Sequence, residues 1–164
     1  MQATRLTLIC HAVTPLQKHG RFPDDESVAM DWQGAALSLA GRFKKTMRLV
    51  SAPEARSRQT AGLFGADAQI ENALRDVDFG AWKGQAIDQL APDALAAWMT
   101  DSAAAPHGGE SVEQLCTRVG HWIKSLESHP GHVVAVTHPF VIRAALLYVM
   151  QFPLSKFYLI DVEP

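Results

Sequence analysis

The sequence predicts an α/β fold, a three-layer α/β/α sandwich around a mostly parallel central sheet. Two observations favour this class. Short β-rich apolar runs alternate with helical patterns, which is typical of βαβ units whose sheet is covered on both faces. With 48% hydrophobic and 20% charged residues in a chain of 164, the protein is long enough to bury one substantial core. We therefore expect a single domain over residues 1–164.

Four apolar runs are predicted strands. They are RLTLIC (5–10), MRLVSA (47–52), HVVAVT (132–137) and FYLIDV (157–162). A long irregular segment at 11–27, with two prolines, a glycine and clustered charges, leads to a helix expected near 31–43. Residues 79–111 are expected to form a loop, one or two short helices and a Gly-rich return that lies over the site. Long loops in compact domains are commonly functional.

Capping signals mark the starts of the other helices. Ser51 and Glu54 have the spacing of a capping box, which places Arg56 in the first turn of a helix directly after a strand. Ser111 and Gln114 form a second box. The apolar residues that follow it repeat at helical spacing and predict a helix whose role is packing: Val112, Leu115, Val119, Trp122, Ile123 and Leu126. Pro139 suits the first position of an apolar helix, where an N–H group has no partner in any case.

Composition excludes several classes of protein. Fifteen Lys and Arg residues against seventeen Asp and Glu give a net charge of −2, so we expect no nucleic-acid partner and a locally built site for any anion. Cys10 and Cys116 lack the number and spacing of a disulfide framework or zinc site, which favours a reducing compartment. No signal peptide or apolar span of roughly 18 residues occurs. We therefore expect a cytoplasmic protein without membrane contact.

Three polar residues fall where a predicted strand turns into the next segment: His11, Arg56 and His138. In open α/β sheets, ligands bind outside the carboxyl ends of the strands, where helix N-termini favour anions. A neutral imidazole can attack phosphorus while Arg56 and His138 balance charge on the phosphoryl oxygens, which points to phosphoryl transfer. Asp76 is the candidate general acid for the leaving alcohol, a role typically worth about 10²–10⁴-fold in rate.

Five short motifs then occur in order along the chain. They are CHAVT (10–14), SAPEARSRQTA (51–61), LRDVDFGAWKG (74–84), GGES (108–111) and VVAVTHP (133–139). Together they resemble the histidine phosphatase superfamily, also called the phosphoglycerate mutase-like family, over nearly the whole chain. The resemblance implies a phosphoglycerate mutase-like fold and a phosphomonoesterase that hydrolyses a small phosphorylated metabolite through a phosphohistidine. It implies neither a metal nor an organic cofactor.

The resemblance also assigns roles to individual residues. It makes His11, Asp76 and His138 catalytic, with Arg56 and His138 holding phosphate. Thr14, Gln17 and Cys10 occupy the remaining phosphate-binding positions of the family pattern, and Arg21 and His107 are further candidates for the pocket.

The chain departs from the family pattern around the first histidine. Cys10 stands where the family has an arginine, and a thiol cannot make a bidentate, charge-assisted pair with phosphate. Ala12 replaces a glycine, Val13 replaces a carboxylate, and Pro139 removes an N–H donor. Losing a hydrogen bond to a charged group costs about 1.5–3 kcal/mol, so we expect a weakened phosphate cradle. Arg21 is a candidate to supply the missing cation.

These departures leave other functions open. One alternative is a noncatalytic or weakly active module that binds phosphate esters. A lesser one is mutase-type phosphoryl transfer, although the family's mutases are longer and carry insertions around the site. A cysteine nucleophile is disfavoured because a Cys-x5-Arg motif would need arginine where Leu16 stands. The sequence selects neither the substrate nor the oligomeric state.

Overall fold

The central sheet of the protein is parallel throughout the part of the chain that the computed structural model describes, residues 4–29, 42–43 and 47–164. Its strands are β1 (Arg5–Cys10), β2 (Arg48–Ser51), β3 (Gln69–Ile70) and β4 (His132–Thr137), in the order β1-β4-β2-β3. Cys10 pairs with Thr137, and Ser51 with Val136. The carboxyl ends of β1, β2 and β4 therefore lie at one edge, and the predicted α/β class is confirmed.

Helices connect and cover these strands. They are α1 (Pro15–Lys18), α2 (Ala55–Ala61), α3 (Pro92–Thr100), α4 (Val112–Ser125) and α5 (Pro139–Met150). Short 3₁₀ helices span Asn72–Leu74, Gly80–Trp82, Ile87–Gln89, Leu126–Ser128 and Leu154–Leu159. The segment 79–111 contains two 3₁₀ helices and α3 before its Gly-rich return, one helical element more than the one or two predicted. The helix expected near 31–43 lies outside the described residues except for positions 42 and 43.

The core lies around β4 and the two long helices. Every residue of β4 after His132 is buried, as is usual for a parallel strand covered on both faces. Leu115 and Val119 of α4 and Val141 of α5 are fully buried in the same cluster. The helical stripe predicted after Ser111 therefore does pack the core, and α4 lies against α5.

Two of the three predicted helix starts, those of α4 and α5, have the predicted capping residues, and the start of α2 does not. Ser111 and Gln114 form a complete capping box, and Pro139 occupies the first turn of α5, as predicted. The box expected at Ser51 and Glu54 is wrong. Ser51 ends β2 and donates its hydroxyl to the Ala52 carbonyl, while Glu54 is itself the N-cap of α2 and caps nothing with its side chain.

The strand predicted at 157–162 is also wrong. Its first half belongs to the 3₁₀ helix Leu154–Leu159, because Phe157 and Tyr158 turn toward Phe140 of α5, with ring centres 5.4 and 6.3 Å away. Conversely, the two-residue strand β3 was not predicted. Within the residues described, no helix combines the length and apolar character needed to span a lipid bilayer.

Candidate active site

Four segments that are distant in sequence meet at the carboxyl edge of the sheet. His11 follows β1, Arg56 lies in the first turn of α2, Asp76 follows a 3₁₀ turn, and His138 is the N-cap of α5. The rings of His11 and His138 are 5.1 Å apart between centroids. The structure thus brings together the two histidines, the arginine and the aspartate that the sequence singled out.

His11 is held in one orientation by its own backbone neighbour. Its Nδ1 lies 2.8 Å from the Ala12 carbonyl oxygen, which can only accept, so Nδ1 carries the proton and Nε2 keeps its lone pair. The residue is 1% exposed. Burial, and next the charge of His138, lower the pKa of His11 from 6.5 to about 4. The imidazole is therefore neutral at physiological pH, the form in which its free nitrogen is nucleophilic.

The loop after His11 is tied directly to α2. The Ala12 N–H donates to the Thr60 hydroxyl (2.9 Å), and this hydroxyl donates to the Arg56 carbonyl one turn back (2.8 Å). One buried side chain thus connects the histidine loop with the helix that carries the arginine. Thr60 belongs to the RQTA part of the second motif, and its role in positioning was not predicted.

Arg56 and Asp76 form a short, buried ion pair. Arg56 donates through Nη2 to Asp76 Oδ2 and through Nη1 to the Asp24 carbonyl, both at 2.6 Å. Its Nη1 is 3.8 Å from Glu26 Oε2. Its Nε is buried without a hydrogen-bond partner among the described residues. Of the five N–H groups of the guanidinium, only two make these hydrogen bonds, so Nε–H is among the donors left for a further oxygen.

His138 lies between two carboxylates. Its Nε2 is 2.7 Å from Glu54 Oε2 and 3.3 Å from the Ser57 hydroxyl, while its Nδ1 is 3.4 Å from Asp76 Oδ2. Burial alone would raise the pKa of Glu54, but the hydrogen bond and charge of His138 outweigh it and lower the pKa to about 2. Glu54 is therefore ionised at neutral pH. Sequence reasoning missed this residue because its spacing from Ser51 resembles a capping box.

A cleft of about 450 Å³ opens beside these groups. Its lining consists of Pro23, Asp24, Asp25, Pro53, Glu54, Arg56, Arg75, Asp76, Val77, Asp78, Phe79 and Lys83. His11 and His138 are not part of the lining. They lie behind it, since His138 contacts Glu54 and Asp76 and both rings are almost fully buried. The two rings are therefore buried next to the groups that line the cleft.

The segment that carries Asp76 is fixed by a close crossing of two motifs. Ala81 N–H donates to the His107 carbonyl, and Glu110 N–H donates to the Asp78 carbonyl, both at 2.9 Å. The backbones approach so closely that a Cβ at Gly80 would collide with the His107 carbonyl, and Gly80 has a φ of +46°. Glycine is required there, which explains the Phe-Gly-x-Trp pattern physically.

The other candidates for phosphate binding have different partners. Thr14 and Gln17 form a capping box at α1, in which each side chain accepts from the other's backbone N–H. Cys10 has a free, half-buried thiol. Burial, followed by the charge of Asp76, raises the pKa of Cys10 to about 12. The thiol is neutral, so position 10 supplies no charge to an anion.

The structure does not bring Arg21 or His107 to the cleft. Arg21 is exposed and donates to the Gly84 carbonyl at 2.9 Å. His107 is 3% exposed and packs between Trp98 and Trp82, with ring centroids 4.5 and 4.9 Å away. Its Nδ1 accepts from the Gly109 N–H. His107 therefore stabilises the Gly-rich return.

The side chains of the site suit an anionic ligand. Across the described residues, no group of three or more His, Cys, Asp and Glu side chains is arranged to hold a metal ion. A neutral imidazole, a buried guanidinium and a second imidazole instead offer one nucleophile and several N–H donors. Such donors suit a tetrahedral oxyanion.

Comparison with known proteins gives several relatives. A bifunctional protein of Mycobacterium tuberculosis is 30% identical over 128 residues, covering 71% of this chain and 35% of that protein, so the chain spans about a third of it. A glucosyl-3-phosphoglycerate phosphatase of Mycolicibacterium vanbaalenii is 27% identical over 178 residues, covering 95% of this chain and 78% of the relative. The second relative is therefore matched over nearly the whole of this chain.

Solved structures extend the comparison. The chain superposes on a mycobacterial glucosyl-3-phosphoglycerate phosphatase complexed with VO3 with a TM-score of 0.85 at 25% identity, covering 97% of this chain and 88% of the other. A phosphoserine phosphatase mutant of Entamoeba histolytica shares the fold, with a TM-score of 0.86 at 18% identity and coverage of 98% and 86%. The family model of the histidine phosphatase superfamily, branch 1, matches residues 6–164. As the motifs predicted, the chain belongs to the histidine phosphatase superfamily.

Proposed function

We propose that this chain is a phosphomonoesterase that hydrolyses a small phosphorylated metabolite through a phosphohistidine at His11. The observation that carries the proposal is the bond from His11 Nδ1–H to the Ala12 carbonyl, which leaves the lone pair on Nε2. Because the pKa of His11 is lowered to about 4, this lone pair is available at neutral pH. The neighbouring ring of His138 and the guanidinium of Arg56 supply donors for the phosphoryl oxygens.

The reaction takes two steps. In the first, Nε2 of His11 attacks phosphorus, the bond to the leaving oxygen breaks, and Asp76 gives that oxygen a proton. In the second, water attacks the phosphohistidine, Asp76 takes back a proton, and inorganic phosphate leaves His11 neutral. Arg56 and His138 hold the equatorial oxygens in both steps, where charge accumulates in the transition state.

The Arg56–Asp76 pair links substrate binding to proton transfer. Phosphoryl oxygens compete with Asp76 for the Arg56 donors, because a charged oxygen at 2.6 Å already occupies one of them. Once released from Arg56, the Asp76 carboxyl group is free to face the leaving oxygen of the substrate. Substrate binding thereby prepares the acid that the first step needs.

The rim of the cleft favours particular leaving groups. Asp24 and Asp25 line it as exposed carboxylates, and the ammonium of Lys83 is already paired with Asp78 at 2.7 Å. Such a rim accepts hydrogen bonds from hydroxyl groups and repels further negative charge. We therefore propose a sugar- or polyol-type phosphate monoester. Glucosyl-3-phosphoglycerate, the substrate named in the relatives, belongs in the test panel, although its carboxylate argues against it here.

The test compares His11→Gln with His121→Gln, a matched change at an exposed histidine of α4. With p-nitrophenyl phosphate, we expect His11→Gln to lose about 10⁴-fold or more in turnover. The intact protein should gain the mass of one acid-labile phosphoryl group, which His11→Gln should not gain. His121→Gln should match the wild type in both measurements. Equal turnover by all three proteins would refute the proposal.

A second candidate, a noncatalytic or weakly active phosphate-ester binding module, is favoured by one observation. Position 10 holds a neutral thiol, and Glu54 adds a negative charge close to Arg56 and His138. Both features weaken phosphate binding and transition-state stabilisation. This candidate predicts that the protein binds vanadate or phosphate but transfers no phosphoryl group to His11. The mass of the intact protein, measured as above, distinguishes it from the phosphomonoesterase.

Other expectations from composition stay predictions. They are a single domain over residues 1–164, a cytoplasmic location and the absence of a nucleic-acid partner. The free thiols of Cys10 and Cys116 fit a reducing compartment.

A further inference from the structure

Glu54 lines the cleft but takes part in no step of the proposed reaction. It occupies the N-cap of α2, where a side chain normally accepts from a backbone N–H of the first turn. Glu54 makes no such bond. Its carboxylate, 19% exposed, points away from its own helix and is occupied elsewhere.

Each oxygen of this carboxylate has its own donor. Oε2 lies 2.7 Å from Nε2 of His138, and Oε1 accepts the backbone N–H of Asp76 at 3.0 Å. One side chain therefore joins the segment before α2 to the two segments that carry the proposed phosphate ligand and proton donor. Those segments lie 22 and 84 residues away in sequence.

The contact fixes one N–H of His138 and leaves the other ring nitrogen to face the phosphoryl group. An ionised carboxylate only accepts, so Nε2 must be protonated to bond it. The Nδ1 atom is buried, has no hydrogen-bond partner among the described residues, and lies 3.4 Å from Asp76 Oδ2 on the side of the Arg56–Asp76 pair. Without Glu54, only the Ser57 hydroxyl at 3.3 Å would hold Nε2. A hydroxyl is neutral, so it would hold Nε2–H less firmly than a carboxylate does.

A direct role of Glu54 in binding phosphate does not fit these contacts. The carboxylate is ionised at neutral pH and both of its oxygens face donors of the protein, so it offers an anion only repulsion. Nor is it built as a proton donor, since a carboxylate that accepts from two N–H groups is stabilised in its charged form. The remaining role is to orient its neighbours.

We propose that Glu54 is a positioning residue: its carboxylate accepts Nε2–H of a doubly protonated His138 ring, directs Nδ1–H toward the reacting phosphoryl group and keeps the ring at a fixed distance from Asp76. The inference rests on the proposed function. It gives Glu54, whose spacing from Ser51 predicts only a helix cap, an effect on turnover through the orientation of His138.

The test uses Glu54→Gln and Glu54→Met, with Glu71→Gln as matched control. Glu71 also accepts a backbone N–H, from Ala73 at 3.0 Å, but lies outside the cleft. Glutamine has one acceptor oxygen where Glu54 uses two, so it must leave either His138 or the Asp76 N–H facing an NH₂ group. We expect kcat with p-nitrophenyl phosphate to fall about tenfold to hundredfold in both Glu54 variants, and KM to change less. Glu71→Gln should keep the wild-type kcat.

A second measurement reads the protonation of the His138 ring directly. Long-range ¹H–¹⁵N spectra of histidine-labelled wild type, assigned with His138→Gln, should show a proton on Nε2 of His138, and this signal should shift or broaden in Glu54→Gln. A wild type without that proton overturns the inference even if no Glu54 variant folds. Wild-type kcat in Glu54→Gln, or a reduced kcat with an unchanged His138 signal, also overturns it. A wild type that never phosphorylates His11 instead refutes the proposed function, and the inference with it.

Discussion

Helices α2 and α4 begin in opposite ways, although both follow a sequence with the spacing of a capping box. At α4, the Ser111 hydroxyl accepts from Gln114 N–H at 3.2 Å and the Gln114 side chain accepts from Ser111 N–H at 2.9 Å. At α2, the N-cap residue Glu54 makes no cap bond and instead contacts His138 and Asp76. The helix that packs the core obeys the local rule, and the helix beside the candidate site breaks it.

The difference has an energetic meaning. An N-cap bond is worth about 1 kcal/mol, which α2 forgoes. In exchange, Glu54 accepts two hydrogen bonds from distant segments, one of them from an imidazole. Glu54 thus accepts hydrogen bonds from distant donors and none from the N–H groups of its own helix. Such a residue indicates that function constrains the sequence there more than helix stability does.

The largest expected effect separates two arginines of these helices, the buried Arg56 and the partly buried Arg118. Arg56 of α2 pairs with Asp76, and Arg118 of α4 binds Glu110 through Nε and Nη2 at 2.9 and 2.7 Å. Removing either arginine leaves a buried carboxylate short of a partner, so Arg56→Met and Arg118→Met should each lower the free energy of unfolding by up to about 3–5 kcal/mol. Only Arg56→Met should also lower turnover per folded molecule, by about 10²–10³-fold.

Urea unfolding and initial rates with p-nitrophenyl phosphate check this pair. If Arg56→Met does not fold, Arg56→Lys serves, because lysine keeps the charge but loses the two-donor geometry. An equal loss of turnover in the Arg118 variant would contradict the view that α2 serves the site whereas α4 only packs the core.

The next effect is a pH dependence of the free energy of unfolding, which tests whether His11 is buried in its neutral form. The pKa of His11 is about 4 in the folded protein, below its ordinary value of 6.5, so the unfolded chain binds the proton more readily. The free energy of unfolding should therefore fall as the pH drops from 6.5 to 4, by up to about 3 kcal/mol, and then level off. His11→Gln should lack this fall. Parallel wild-type and variant curves over this window would show that His11 is not buried in the neutral form.

Glu54 should affect the free energy of unfolding at lower pH than His11 does. Here the folded protein stabilises the charged form of the side chain, whereas at His11 it stabilises the neutral form. Its pKa is about 2 in the folded protein against an ordinary 4.5, so its stabilising effect is complete above pH 4.5 and is lost as the pH falls toward 2. The stability difference between wild type and Glu54→Gln should shrink over that range. Thermal unfolding at fixed ionic strength measures it, and a difference that is constant with pH would contradict the ion pair with His138.

What the sequence predicts well is what local rules encode. His11 and His138 were found because each directly follows an apolar strand, and the box at Ser111 formed because both of its partners lie within four residues. Glu54 was misread because its partners are 22 and 84 residues away and leave no local signal. The run at 157–162 has strand composition, but packing of Phe157 against α5 overrides that propensity.

A smaller effect tests how far the site departs from its family. Cys10 adds no charge, since its pKa is raised to about 12 by burial and by Asp76. Replacing it with arginine should restore a charged donor next to His11 and tighten binding of inorganic phosphate by about tenfold or more. Isothermal titration of phosphate into wild type and Cys10→Arg measures the change, with Cys116→Arg as the control. Unchanged affinity would show that position 10 does not face the anion.

The smallest effect returns to the capped helix. Ser111→Ala removes the acceptor for Gln114 N–H and should lower the free energy of unfolding by about 1 kcal/mol. Turnover per folded molecule should not change, because Ser111 contacts none of the groups around His11 and His138. Glu54→Ala should lower turnover as well as stability, since it removes no cap bond but leaves His138 Nε2–H and the Asp76 N–H without their acceptor. If Ser111→Ala instead reduced turnover as much as Glu54→Ala, the start of α4 would be coupled to the site. The missing N-cap bond at α2 would then no longer distinguish a helix that serves the site from one that only packs the core.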